Sequence, residues 1–483
     1  MRSYDVIIIG GGLLGSFAAR NLTRYRLKTA LLERSNDLCT GISRANTAIV
    51  YSGCDTKPGT LKTSMCVRAA QDFSQLCDEL GVRYSPCGSI MVTFGERGAK
   101  VLCKKYEQGT KNGVRNMRLL SRDEVLALEP NIAPNVHSGL YVPDTGTVMP
   151  WELCLAAAEN AIDNGADIIL NTEVTAVTRA DGGFDVQTND GAYHTRGIIN
   201  CAGMNADKVL EMASDPIVRI APTAGDYFVL DTKAAGHIRH VIFHETDEKG
   251  KGITLVPTVD DNILIGPTER PDESGDFATS LEGFAELRTL ASEVMPTLPM
   301  EYIIRSFGAV RPNPRYVADD RSVNDFSIIE FEEPFVSLIG IKTPGLTCAN
   351  ELGLHVADKI ACRLGAESNP HYNPRRTSPL KLSELSFEQR AALSQGAAFN
   401  RIVCRCRGVT EGEIIDAIHR RHGAVTLDGI KRRVGAGSGR CQGGFCSQRV
   451  LEILARELGC RPKEITKSGN GSYILCGDND ECV

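Results

Sequence analysis

Apolar runs and amphipathic stretches alternate along residues 1 to about 365. The run Tyr4 to Ile9 ends in Gly10-Gly11-Gly12-Leu13-Leu14-Gly15, a helical pattern follows over Ser16 to Thr23, and a second apolar run, Leu27 to Leu32, closes on Glu33. This spacing predicts strand, tight turn, helix and strand in succession. Over Val67 to Leu80 the apolar Ala70, Phe73, Cys77 and Leu80 share one helical face, with Gly81 as the stop. Such alternation argues for α/β architecture. Residues 366–399 break it: three prolines and many polar positions without a strand pattern predict a linker with one short helix at most. A compact unit begins at Arg401. There Thr410 and Glu413 make a capping box for a helix through Ile418, and Ser447 to Leu458 reads as a helix ended by Gly459. Residues 461–483 form a tail.

At 483 residues the chain is long for one domain, which favours two or three units, each burying its own core. A formal net charge of −6 argues against a general nucleic-acid or anionic-membrane binder, so an acidic substrate must be met by local basic residues. No stretch of about 18 apolar residues occurs, so membrane contact is expected to be at most peripheral. The first apolar run is too short for a signal peptide. Most of the seventeen cysteines stand singly in apolar contexts (Cys77, Cys103, Cys154, Cys201, Cys362), as reduced core thiols do, which fits a reducing cytoplasm.

The glycine pattern carries chemistry. Gly10 permits the tight turn, Gly12 lets backbone approach a pyrophosphate, Gly15 lets helix and strand pack, and the helix N-terminus attracts phosphate. Glu33 then stands where a carboxylate accepts ribose hydroxyls, and Leu13 and Leu14 within the glycine turn and Arg34 after Glu33 count with it as cofactor-binding positions. The motif alone does not separate FAD from NAD; its N-terminal position favours FAD.

A second chemistry sits near the other end. Cys404-Arg-Cys406 and Cys441-Gln-Gly-Gly-Phe-Cys446 give C-x-C and C-x4-C separated by 34 residues. Two short thiolate loops can converge on a [2Fe-2S] cluster, and four thiolates also satisfy tetrahedral zinc. Gly443 and Gly444 would let backbone wrap the sulfurs, and Cys446 would open a helix whose positive end favours a cluster's charge. Arg405, Arg407 and Arg440 flank the sulfurs. Cys476 and Cys482 match no pattern.

The segments 41–55 (GISRANTAIVYSGCD), 139–153 (GLYVPDTGTVMPWEL), 198–207 (IINCAGMNAD), 306–314 (SFGAVRPNP) and 339–349 (IGIKTPGLTCA) resemble the D-amino-acid-oxidase-like superfamily of FAD enzymes. More narrowly they resemble the anaerobic glycerol-3-phosphate dehydrogenase large subunits and L-2-hydroxyglutarate dehydrogenases. GRCQGGFC resembles the bacterioferritin-associated-ferredoxin-like domain attached to this flavoprotein class, which favours cluster over zinc. The resemblance implies a Rossmann-like FAD domain (about 1–85, 150–220, 305–365) interleaved with an α+β substrate domain (about 86–149, 221–304), then linker 366–400 and a small helical [2Fe-2S] domain at 401–460. It places Ser43, Arg44, Asn46 and Thr47 along the flavin, Val174 at the adenine, Ala202 and Gly203 at a second nucleotide turn, and Gly340, Lys342, Gly345, Leu346 and Thr347 at the pyrimidine end. There backbone N–H groups and Lys342 would stabilise a reduced, anionic flavin.

On the substrate side Arg311 resembles the superfamily's anchoring arginine, whose planar fork suits carboxylate or phosphate. Arg305, six residues earlier on the same strand, shares its face if no bulge intervenes. Relatives often carry His where Tyr51 stands and a basic pair where Thr223 and Ala224 stand. With these departures Tyr51 is the candidate base and would need a cationic neighbour such as Lys342, and Tyr227 is next in line. The implied function is oxidation of a small anionic substrate, glycerol 3-phosphate first, with 2-hydroxy acids or amino acids behind it. Electrons would leave through the cluster to a partner, with a second flavoprotein subunit and a small cysteine-bearing subunit as implied companions. An electron-relay subunit with a degenerate pocket and an oxidase remain open.

Overall fold

The computed structural model describes residues 2–246, 252–272, 275–393 and 396–477. Strand β1 (Arg2–Ile9) runs into Gly10, and helix α1 (Leu13–Leu22) follows before strand β2 (Thr29–Leu32). Two glycines make this geometry possible. Gly10 has φ +108°, where a side chain would be strained, and a Cβ on Gly15 would lie 1.9 Å from the Gly10 carbonyl oxygen. β1 pairs in parallel with β2 on one side and with Gly191–Asn200 on the other; Asp167–Ile169 extends the parallel row beyond β2, and Phe335–Ile339 extends it beyond Gly191–Asn200. All these strands therefore end on one side of an eight-stranded mixed sheet, the side on which an open parallel α/β sheet binds its ligand. Helices α1, Pro150–Asp163 and Ala349–Leu364 pack on the sheet, and apolar Val6, Ile8, Leu31, Ile199, Val336 and Leu352 fill the contact.

A nine-stranded second sheet is built on the long antiparallel pair Val218–Leu230 and Ile303–Tyr316. Residues 303–316 thus pair with this sheet, beyond the range 221–304 read from sequence for the substrate part. Helix Leu281–Val294 covers it through Leu287, Ala291 and Val294, buried against Phe228, Leu230 and Ile265.

Several local readings hold. The helix ending at Gly81 is present, but it starts at Leu61, earlier than the apolar pattern suggested, because Thr60 caps it and the Asp325 carboxylate accepts from the Leu61 and Lys62 N–H groups. The Thr410–Glu413 capping box opens helix Glu411–His419, and Ser447–Leu458 ends at Gly459 in the left-handed conformation. Helix Leu427–Val434, not among the elements expected above although Thr426 and Gly435 bound it, completes a small core around Ile414, Ile430 and Leu454. Among the described residues of 366–399 one short α-helix is present, Phe387–Leu393. Among the single cysteines, Cys77, Cys154 and Cys201 are buried, whereas Cys103 and Cys362 are exposed, contrary to their reading as core thiols. Cys476 is exposed, and Cys482 lies outside the described residues. Among the described residues no helix is long and apolar enough to cross a membrane.

Candidate active site and cysteine loops

A cavity of about 1110 Å³ opens at the carboxyl ends of the parallel strands and continues beneath the second sheet. Gly10, Gly12, Leu13, Leu14, Glu33 and Arg34 line it from the first strand–helix–strand unit. Ser43, Asn46, Thr47 and Tyr51 line it from the following segment, Val174, Ala202 and Gly203 from later strand ends, and Lys342, Gly345 and Leu346 from the turn before helix Ala349–Leu364. Tyr227 and Arg311 enter from the second sheet. Four expected residues stand outside the lining. Gly15 packs on Gly10, Gly340 on Pro314, Thr347 accepts a hydrogen bond from the Tyr51 N–H at 2.9 Å, and the Arg44 guanidinium lies 5.3 Å from the Phe277 ring centre.

The loops of this wall are pinned from within. Glu33 accepts from the Gly11 and Ser35 N–H groups at 2.6 and 2.8 Å, so its carboxylate shapes the glycine turn as well as facing the cavity. Ser43 Oγ accepts the first N–H of α1, and Asn46 accepts the Ala48 N–H at 2.8 Å.

Arg311 Nη1 lies 3.1 Å from Glu269 Oε1, with the arginine side chain 31% exposed. It is thus a poised cation whose internal partner an incoming anion can displace. Asn313, two residues along the same strand, connects this wall to the opposite one: Lys342 Nζ donates to its Oδ1 at 2.7 Å, and its Nδ2 donates to Thr223 Oγ1 at 3.0 Å. Burial, with Lys62 and Arg311 nearby, lowers the Lys342 pKa, against a smaller pull from Glu269. The two tyrosines move the other way. Burial pushes Tyr51 up to about 12, and Tyr227, buried and stacked on Phe307 at 4.6 Å, is also pushed up by burial. Arg305 does not share the pocket. It lies further along the strand and donates to Gln442 Oε1 at 3.1 Å, between the two cysteines of the second loop.

Sequence reasoning missed Glu269 and the ion pair Lys105–Glu245 at the cavity wall, and Asn313 behind it as the partner of Lys342. The two-residue strand period from Arg311 could have found Asn313; the others come from remote segments without a local signal.

The four cysteines come together as two pairs. Cys406 Sγ lies 3.7 Å from Cys441 Sγ, while Cys446 donates a hydrogen bond to Cys404. That bond and the backbone N–H groups of Gly437, Arg407 and Cys406 pull Cys404 down to about 6 despite burial. Backbone N–H groups of Phe445 and Gly443 lower Cys441. Gly444 instead donates to the Cys441 carbonyl. Among the described residues no three such side chains converge on one ion. Two thiol pairs under backbone donors fit a [2Fe-2S] cluster, which Cys404, Cys406, Cys441 and Cys446 would hold, better than a single zinc ion. Cys446 stands at the position that opens helix Ser447–Leu458, as its place in the sequence suggested, without a side-chain capping bond. Arg407 and Arg440 reach away to Asp260 and Asp231 of the second-sheet region at 2.8 and 3.1 Å.

Residues 5–359 match the family described as FAD dependent oxidoreductase. The chain belongs to this FAD-dependent oxidoreductase family. Residues 402–456 of the oxidoreductase match the BFD-like [2Fe-2S] binding domain, so all four paired cysteines fall within a cluster-binding module. The enzyme is 41% identical to a curated glycerol 3-phosphate dehydrogenase of Caloramator mitchellensis over 98% of each chain. It is 26% identical to an L-2-hydroxyglutarate dehydrogenase of Escherichia coli, over 80% of this chain and all of that one. Among solved structures, the dithionite-reduced L-alpha-glycerophosphate oxidase of Mycoplasma pneumoniae with FAD bound superposes with a TM-score of 0.72 at 27% identity, covering 79% of this chain and 100% of that one. The oxidoreductase is thus a glycerol-3-phosphate dehydrogenase-like flavoenzyme with a cluster-binding domain.

Proposed function

We propose that the enzyme oxidises glycerol 3-phosphate at the cavity and that the electrons leave singly through the C-terminal cluster to an acceptor protein. The observation that carries this reading is the continuity of one cavity from the glycine turn to Arg311 and Lys342. The whole-length likeness to a glycerol 3-phosphate dehydrogenase supports the substrate. FAD bound along the glycine turn would accept a hydride, and the cluster would divide the electron pair.

The chain's own residues then have distinct tasks. Gly10 and Gly12 leave room for pyrophosphate at the α1 N-terminus, Ser43, Asn46 and Thr47 face the ring system, Val174 the adenine, and Ala202 and Gly203 the second turn. Arg311 releases Glu269 and grips the substrate phosphate through two oxygens. The substrate hydroxyl must lose a proton as the hydride departs. Tyr51 and Tyr227 are held neutral by burial, so they orient by hydrogen bonding. Lys342 is the group whose pKa moves towards neutrality. We assign proton uptake to Lys342, with Asn313 holding its nitrogen towards the cavity.

Anaerobic addition of glycerol 3-phosphate should bleach the flavin absorbance, and Lys342→Ala should slow bleaching far more than Tyr51→Phe. Bleaching by a 2-hydroxy acid alone would reassign the substrate. Reduction only by another protein would make the chain a relay, and peroxide formed at the rate of turnover would make it an oxidase.

A further inference from the structure

Cys404 and Cys446 are buried against the small helical core, whereas Cys406 and Cys441 are exposed. The four-thiolate centre therefore has an inner edge and an outer edge, and the outer edge is surrounded by a surface of definite character. The Arg405 guanidinium lies 4.8 Å over the Phe445 ring, itself 58% exposed. One helical turn beyond Phe445 stands Arg449, which shares Glu411 with Arg401; beside Arg401, Ile402 is 62% exposed. On the other flank Arg440 is anchored by Asp231 while half its side chain meets solvent.

The carboxylates answering these arginines are mostly hidden. Glu411 and Asp231 side chains are 3% and 7% exposed, Glu452 beside Arg449 is the exposed exception, and Arg405 has no carboxylate partner among the described residues. Two large exposed apolar side chains, Ile402 and Phe445, interspersed with Arg401, Arg405, Arg440 and Arg449 in the segments that carry the cysteines, have the composition of an interface, in which aromatic residues and Arg are enriched. On a chain of net charge −6, local positive charge at the outer sulfurs selects an acidic partner and orients it.

We propose that this rim docks an acidic one-electron carrier protein, with the Cys406–Cys441 edge as the exit for electrons. The inference rests on the cluster reading above. In each encounter the reduced cluster loses one electron and the carrier gains it, so two encounters clear the pair delivered by one substrate molecule.

The test uses full-length enzyme with cluster and flavin, and an oxidised acidic [2Fe-2S] ferredoxin as probe. Affinity for the resting enzyme is measured by calorimetry, and ferredoxin reduction by stopped flow, across a salt series. Arg405→Glu with Arg449→Glu should weaken affinity at least tenfold and flatten the salt dependence. Phe445→Ala should weaken it at constant salt slope. Lys100→Glu, on an exposed helix remote from this rim in sequence, should change neither. Substrate bleaching of the flavin and the cluster's EPR signal should be unaltered throughout. Unchanged affinity and salt slope in the double variant, with the EPR signal present, would overturn the proposal, as would rim variants that only abolish self-association. Loss of the EPR signal in wild-type enzyme would instead overturn the cluster reading beneath it.

Discussion

Replacing Asp37 by asparagine should loosen the cysteine-bearing unit from the flavin-binding part. Asp37 sits in the segment after β2, and its carboxylate is gripped by Arg432 at 2.6 Å and Arg433 at 2.8 Å from helix Leu427–Val434, with all three side chains 3–7% exposed. Burial alone would raise the Asp37 pKa, but the two guanidiniums, Arg433 foremost, overrule it and hold the group at about 2. A carboxyl at about 2 in place of its ordinary 3.8 corresponds to about 2.5 kcal/mol in favour of the ionised, docked form. A neutral amide at this position would also leave two buried cations uncompensated, which puts the cost at about 3–5 kcal/mol. Because the folded value is the lower one, this stabilisation is complete above about pH 4 and fades as pH falls towards 2. Calorimetry at pH 7 should show an early transition split from the main one, and trypsin should cut the linker after Lys381 or Arg390 at least tenfold faster. A triple variant that also carries Arg432→Met and Arg433→Met should regain part of the loss, since no charge is then left unpaired. If Asp37→Asn melts as one transition at the wild-type temperature with the linker still protected, the reasoning fails.

Three further outcomes follow from the cavity. Gly15→Ala pushes a methyl into the Gly10 carbonyl, a backbone clash worth about 1–3 kcal/mol, and should yield protein depleted in FAD on absorbance at equal expression. Arg311→Ala removes charge-assisted bonds worth about 1.5–3 kcal/mol and should cut kcat/KM by about 10- to 100-fold, mainly through KM, in steady-state assays. Asn313→Asp sets a carboxylate against Lys342 Nζ, raising its pKa, so the pH profile of flavin bleaching, which rises as Lys342 loses its proton, should move to higher pH.

The parts of this molecule that could be read in advance are those encoded locally. β1, the glycine turn and α1 announce themselves because the turn needs the positive φ of Gly10 and the missing side chain of Gly15 against the Gly10 carbonyl, and Thr410 with Glu413 because a capping box is closed within one helical turn. That the two cysteine loops form one unit was legible from residue type and spacing, though not their division into buried Cys404 and Cys446 and exposed Cys406 and Cys441, which depends on tertiary packing. Helix Leu427–Val434 sets its apolar Leu427, Ile430 and Val434 on one face over only two turns, and its arginines turn inward to a carboxylate nearly 400 positions earlier, a contact with no local signal. Glu269 and Lys105 reach the cavity for the same reason: tertiary pairing across remote segments leaves no periodic trace. Arg305 and Arg311 illustrate the limit of strand parity. An even offset puts both on one face, but a strand is long enough for one to serve the cavity and the other the cysteine loop.

Electrons taken from the substrate should reach iron held in the same chain. Enzyme purified without oxygen, mixed with glycerol 3-phosphate and frozen within a turnover, should show a rhombic [2Fe-2S] EPR signal growing as the flavin absorbance falls. The signal should be absent from a Cys406→Ser, Cys441→Ser variant whose flavin still bleaches. Bleached flavin with no paramagnetic iron in the wild-type chain, or zinc in place of iron at the four sulfurs, would contradict that transfer.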